Sequence, residues 1–400
     1  MNESETGNSR QLTLATISFM ICFYAWALLG PLGPDLQEQL GLTDGQLALT
    51  ISIPVVLGSL MRIPLGVLTD RYGGRRVFAL LMAYTPLPLI GLALFNDSWG
   101  AVLVCAFLLG FAGASFAIGV PFVNKWYPAS RQGFALGIYG IGMGGTVLGA
   151  LTAPRIVDAT NIDVPFWIAA ILQSWRPCSG RWPGMLPRQC RKDRLDARRP
   201  VGVQGQGQRA WALTLFYFMA FGGFVAMFLY LPKLLVDVHG LEKPDAGARA
   251  AGTACSPSPL VRSAAGSRTG SAHATLLTWS FLGTIVLAIG LTVSYEHMVP
   301  LTIVCLTLAV FLGLGTGAVF KLVPEWYPDR VGAVTGVVGA GPAASASSSA
   351  ARDGAREVGD RQLLARLRAD GLVAVIALVV LRAEGRSARS GQEPTVAAAS

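Results

Sequence analysis

An uncharged apolar run of about 18 residues or more can cross about 30 Å of hydrocarbon as a helix, and this chain is built largely of such runs. They extend from Leu12 to Leu32, Leu47 to Met61, Val77 to Phe95, Trp99 to Val123, Phe134 to Pro154, Trp211 to Pro232, Leu276 to Val293 and Met298 to Phe320. Weaker stretches begin at Val164 and cover Gly371 to Leu381. Together they predict about ten crossings of a bilayer. Any fold for such a chain must satisfy its backbone inside the segment, so an all-α membrane protein is expected.

Composition agrees. Of 400 residues 52% are hydrophobic and 14% charged, against about a quarter charged in soluble domains. That points to lipid as the solvent and away from a soluble enzyme. Met1 to Arg10 is polar, and the first apolar run lacks a small-residue cleavage site, so it reads as a retained helix. The net charge of +9 gathers in short loops, Arg71 to Arg76 and Lys125 to Arg131. The positive-inside rule places these loops, and with them the N-terminus, in the cytoplasm of a multi-pass inner-membrane protein. The cations sit at helix ends, a topological pattern and not a nucleic-acid footprint. The 6 cysteines contain no CxxC pair and three of them lie in apolar runs, so neither a metal site nor a disulfide is expected, and no cofactor is expected.

The chain also repeats itself. Phe122-Val-Asn-Lys-Trp-Tyr-Pro-Ala-Ser-Arg-Gln-Gly-Phe-Ala-Leu-Gly137 answers to Leu322-Val-Pro-Glu-Trp-Tyr-Pro-Asp-Arg-Val-Gly-Ala-Val-Thr-Gly336, with one residue skipped after the proline. Each copy joins two Gly-rich apolar helices through a Trp-Tyr-Pro turn. Such duplication predicts two six-helix bundles related by a pseudo-two-fold along the membrane normal, the plan of the major facilitator superfamily. Gly66-Val-Leu-Thr-Asp-Arg-Tyr-Gly-Gly-Arg-Arg76 resembles that superfamily's signature between helices 2 and 3. Gly66 would let two helices approach closely, while Asp70, Arg71, Arg75 and Arg76 could form a charge cluster that holds the cytoplasmic gate shut.

Arg62 carries the functional reading. It lies inside an apolar helix, where a charge costs several kcal/mol unless it faces a cavity or a partner. Snorkelling is the structural alternative, since Asp70 is about 12 Å further along the helix. Arginine offers a planar fork of donors suited to planar oxyanions, so an oxyanion substrate is favoured. Three segments then resemble the nitrate/nitrite porter family: Gly58-Ser-Leu-Met-Arg-Ile-Pro64, Tyr127 to Gly145, and Gly313-Leu-Gly-Thr-Gly-Ala-Val-Phe-Lys-Leu-Val-Pro324. The resemblance implies transport of nitrate or nitrite between two arginines, with aromatic rings above and below the anion. It assigns the first arginine to Arg62, the helix 4 aromatic to Phe116 and the helix 7 tyrosine to Tyr217.

Gly137, Gly140, Gly142, Gly144, Gly145 and Gly149 would line one helix, and Gly313, Gly315 and Gly317 another, which allows close helix contacts and alternating access. Met143 and Thr316 stand where the family usually has Asn. Together with Gly142 and Gly144 they complete the expected substrate-binding set. Nitrate, nitrite and other small anions all remain open as substrates, as do proton coupling, exchange and direction.

Three stretches break the helical plan: about 175–208, 244–275 and 342–369. They are rich in Arg, Ser, Ala, Gly and Pro where helices 6, 8 and 11 are needed, so these helices appear disrupted in the sequence. The division expected is an N-terminal bundle over 1–174, a central linker over 175–208 and a C-terminal bundle over 209–400. For the second stretch, a neighbouring reading frame with GC-rich codons can spell Ala-Pro-Arg-Pro-Leu-Gly-Gly-Trp-Leu-Ala-Asp-Arg-Ile-Gly. That string aligns from its Arg onward with Arg62 to Gly73, which suggests compensating frameshifts. A transport-dead product of a frameshifted gene is therefore the alternative to a working carrier.

Overall fold

The computed structural model describes residues 8–128, 131–174, 207–224, 270–294, 297–327 and 330–341, with isolated positions between 231 and 249. Its helices are α1 (Ser9–Ala27), α2 (Gly33–Leu40), α3 (Asp44–Tyr72), α4 (Gly74–Leu94), α5 (Trp99–Asn124), α6 (Gln132–Ala159), α7 (Asp163–Ser174), α8 (Gly207–Tyr217), α9 (Gly270–Ser294), α10 (Met298–Trp326) and α11 (Val331–Ala340). Among the described residues α3, α4, α5, α6 and α10 are each long and apolar enough to cross a membrane.

Element ends follow local chemistry. The Asn8 side chain accepts from the Gln11 amide at the start of α1. A reciprocal Thr43/Gln46 capping box opens α3. The first apolar run does not continue as one helix to Leu32; α1 stops at Ala27. Pro31 and Pro34 follow, and a residue without an N–H cannot extend the helical ladder. The second run goes further than its apolar stretch, because Arg62 is buried inside α3 and does not end it. The turn from α3 to α4 passes through Gly73 at φ +87°, a left-handed conformation that a side chain would strain.

Helical geometry changes along the chain: α4 is interrupted at Thr85 before Pro86, α5 at Gly110–Ala114 and α6 at Ile141–Met143 become 3₁₀, and α8 is followed by a π turn over Phe218–Gly222. Outward-facing Leu80, Leu87, Ile171, Val286 and Ile303 are each at least 60% exposed, which suits acyl chains as their neighbours. The largest apolar core gathers α1, α3, α5, α6, α8, α10 and α11 around one interior. Two contacts organise it: α9 lies on α10, and α3 lies along α11, which joins the two halves of the chain.

Most of the three polar stretches, 175–206, 250–269 and 342–369, lies outside the described residues, and so does most of the expected linker. Where the structure does describe their edges, it finds helix: α8 opens at Gly207 and α9 at Gly270. Helix 6 of the plan is formed as far as Ser174, and helix 11 as far as Ala340.

Candidate functional site

Among the described residues Arg62 is the only charged side chain that is buried, at 1% exposure. It sits on α3 just before Pro64, inside the seam with α11. Its Nε and Nη2 both donate to the Gly113 carbonyl at 3.3 Å, and its Nη1 donates to the Gly339 carbonyl at 2.7 Å. Nη1 also reaches the Tyr217 hydroxyl at 3.5 Å, and the guanidinium carbon lies 5.1 Å from the centre of the Phe221 ring. Carbonyl dipoles and a ring face steady the cation without cancelling its charge. No carboxylate pairs with it among the described residues, so the site keeps a net positive charge in a low-dielectric interior, where an anion is strongly favoured.

The local backbone explains this geometry. Gly113 lies in the 3₁₀ segment of α5, and its carbonyl accepts both bonds from Arg62. A side chain at Gly113 would also come within 2.7 Å of Trp26 Nε1, whose indole donates to the Pro54 carbonyl at 3.2 Å. Gly339 is needed for a similar reason, since a Cβ there would lie 2.7 Å from Arg62 Cδ.

An aromatic cluster adjoins the cation through Tyr217 and Phe221. Phe116 on α5 meets Phe320 on α10 edge to face at 4.4 Å, and Phe320 meets Tyr217 on α8 at 4.7 Å. Tyr217 stacks on Phe221 at 5.0 Å. Phe116 and Tyr217, both singled out from sequence, thus join Arg62 in one cluster fed by both halves. Phe221 and Phe320 were not anticipated. Phe221 follows Tyr217 by four residues and Phe320 follows Thr316 by four, one helical turn that shares a face; that spacing was the available signal. Beyond Phe221 lies a narrow apolar cavity of about 30 Å³ lined by Phe23, Trp26, Val55, Thr146 and Phe224.

The remaining expected substrate residues do not hydrogen-bond Arg62. The Thr316 hydroxyl is taken up by its own helix at the Leu312 carbonyl, 3.0 Å away. Met143 is half-buried against the core, and its carbonyl accepts from Thr146. Gly142 brings α6 against α1, for a Cβ there would meet the Phe19 ring and lie 2.9 Å from the Thr16 carbonyl. Gly144 faces open space.

At the far end of α3, Asp70 accepts from the Gly332 amide at 3.1 Å and the Ala333 amide at 2.8 Å. These are amides of the first turn of α11, whose positive dipole end favours a carboxylate. A side chain at Gly66 would strike the Gly332 carbonyl, and one at Gly336 would lie 3.0 Å from Ile63 Cα. Glycine therefore lets α3 and α11 touch by backbone. Asp70 reaches across the seam to α11 instead of pairing with its neighbouring arginines. Arg71 and Arg76 are exposed, Arg71 stacks on Tyr72 at 5.4 Å, and Arg75 is half-buried.

A buried cation shared by two halves that meet along a glycine seam is the architecture of a membrane transporter. The family model for the Major Facilitator Superfamily matches residues 15–173. The "Probable nitrate/nitrite transporter NarK2" of Mycobacterium tuberculosis is 36% identical over 358 residues, covering 84% of this chain and 85% of that protein. The "Nitrite extrusion protein" of Bacillus subtilis is 34% identical over 336 residues, covering 82% of each. Among solved structures the human organic anion transporter MFSD10 superposes with a TM-score of 0.74 at 15% identity, covering 93% of this chain and 99% of that one, a likeness of fold alone. The chain belongs to the nitrate/nitrite porter family of the major facilitator superfamily. It is a multi-pass membrane transporter and not an enzyme.

Proposed function

We propose that the protein carries nitrate or nitrite across the inner membrane by alternating access, with Arg62 as the anion's main hold in the N-terminal half. The observation that supports this most is the buried Arg62 guanidinium, with no carboxylate partner among the described residues, beside the rings of Tyr217 and Phe221. A planar fork of donors suits a planar oxyanion, and ring edges and faces suit its flat shape. Tyr217 can accept a hydrogen bond from Arg62 and donate its own hydroxyl hydrogen bond to the anion. The relatives named as nitrate/nitrite transporters support the same cargo.

The seam supplies the movement. Asp70 on the α11 amides and the Gly66, Gly332 and Gly336 contacts hold one end of the two halves together. In this reading that end is cytoplasmic. Arg10, Arg71, Arg75, Arg76, Lys125, Arg131 and Arg330 flank it, whereas Asp35, Glu38, Asp97 and Asp163 lie at the other end, as the positive-inside rule requires. The cation is bonded to α5 of one half and α11 of the other, so an anion that draws Arg62 off the Gly339 carbonyl loosens the seam.

A ligand that binds only the folded state raises stability by about 2.7 kcal/mol at a hundredfold excess over its dissociation constant. Nitrate or nitrite, and not sulfate at equal ionic strength, should therefore raise the melting temperature of the purified chain, and Arg62→Lys should abolish the rise. An equal rise in the variant removes Arg62 from the site.

A further inference from the structure

Between Arg62 and the Asp70 end, the interior holds polar side chains that the closed seam leaves unpaired. Ser115 Oγ, both side-chain polar atoms of Asn124, Thr335 Oγ1 and Gln11 Oε1 are buried with no hydrogen-bond partner among the described residues. The exposures of these residues are 0%, 8%, 0% and 4% respectively. They belong to α1, α5 and α11, and both α1 and α11 pack on the Ser115–Asn124 part of α5, which is buried at every residue.

Thr335 is the telling member. A buried helical threonine ordinarily returns its hydroxyl to its own helix. Thr16, Thr50, Thr69 and Thr284 do so, donating to the carbonyls of Leu12, Gln46, Leu65 and Ser280. Thr335 lies one residue before Gly336, which touches the α3 backbone, yet its hydroxyl makes no such bond. Asn124 leaves a whole amide unused, two donors and an acceptor. Native interiors seldom bury such groups unpaired, and four of them on three adjoining helices are an unfavourable arrangement for a permanently packed core. They suit a surface that is dry only part of the time.

We propose that Ser115, Thr335, Asn124 and Gln11 form the polar wall of the route between Arg62 and the Asp70 end. The wall is closed and dry while α11 rests on α3, and it is wetted when that seam parts. The inference rests on the alternating-access reading above and extends it. The wall offers hydrogen-bond donors to a small hydrated oxyanion after it leaves Arg62, and the unpaired groups bias the closed state toward opening while Asp70 opposes that bias.

Single-cysteine variants Asn124→Cys and Thr335→Cys of the full chain, in inside-out vesicles, test this with a membrane-impermeant thiosulfonate. Ala169→Cys in α7, an equally buried position at 0% exposure, is the control for general loosening. Both wall cysteines should label at least about tenfold faster than the control, because they are reached in a populated open state. Thr335→Val keeps the side-chain shape and removes the unpaired hydroxyl. It should raise the melting temperature and slow labelling of Asn124→Cys by about fivefold. Labelling of the wall cysteines no faster than the control overturns the proposal, as does a Thr335→Val change that leaves the Asn124→Cys rate unchanged. No anion is added, so failure here leaves the oxyanion reading standing, and absence of a nitrate-dependent melting shift leaves the labelling result standing.

Discussion

Arg62 shows how one residue can tie two helices together. Its guanidinium bonds reach α5 through Gly113 and α11 through Gly339, and only a planar fork spans both. Arg62→Lys keeps the charge but loses the second arm, so transport by a working chain should fall by tenfold or more, at least about 1.4 kcal/mol; uptake equal to the parent at matched expression contradicts this. Phe221→Leu removes the ring face 5.1 Å from the guanidinium, worth about 0.5–2 kcal/mol, and should weaken anion binding a few-fold with the fold intact, as titration calorimetry can check. Arg62 was legible in the sequence because a lone charge inside an apolar helix is costly unless a cavity or a partner receives it. Phe221 and Phe320 were not, since an aromatic ring in an apolar helix looks like packing until its neighbours are known. The Gly113 and Gly339 carbonyls were equally hidden, because no residue type announces which backbone oxygen is free.

At the scale of elements, the α3–α11 seam combines two independent contacts, a carboxylate on a helix N-terminus and backbones that meet through glycine. Asp70→Asn keeps the shape and removes the charge; it should cost about 0.3–1 kcal/mol of closed-state stability. Gly336→Val places a side chain against the Arg62 carbonyl and Ile63 Cα, so the seam cannot close as it does here. Spin labels on exposed Tyr72 and Arg330 should report longer distances in both variants and the larger change in Gly336→Val; unchanged distances in both would remove the seam from the gate. The sequence indicated Gly66 and Asp70 through their spacing. It did not reveal their partner, because Gly332 and Ala333 lie more than 250 positions away and only the folded pairing of the halves unites them. Helix interruptions at Gly110–Ala114, Ile141–Met143 and Phe218–Gly222 were likewise invisible to apolar periodicity, which records which faces are buried and not which backbone bonds are kept.

For the whole molecule, the two-half architecture was readable from the duplicated Trp-Tyr-Pro segments, and the fold and family bear it out. The counterpart of Arg62 in the second half is a different matter. Arg262 and Arg268, the arginines of 250–269, lie outside the described residues, and the sequence there departs from the helical plan. A carrier needs the anion to hold both halves differently in its open and closed states, because differential contacts alone can drive the change. In the proposed account Arg62 supplies the first half's share of those contacts. The decisive measurement is nitrate uptake into proteoliposomes, at matched protein amount, by the 400-residue chain and by its Arg62→Lys variant. The parent chain should show saturable uptake, inhibited by nitrite and lost in Arg62→Lys. No uptake by the parent chain, as the transport-dead alternative requires, or uptake that survives Arg62→Lys, would contradict the account.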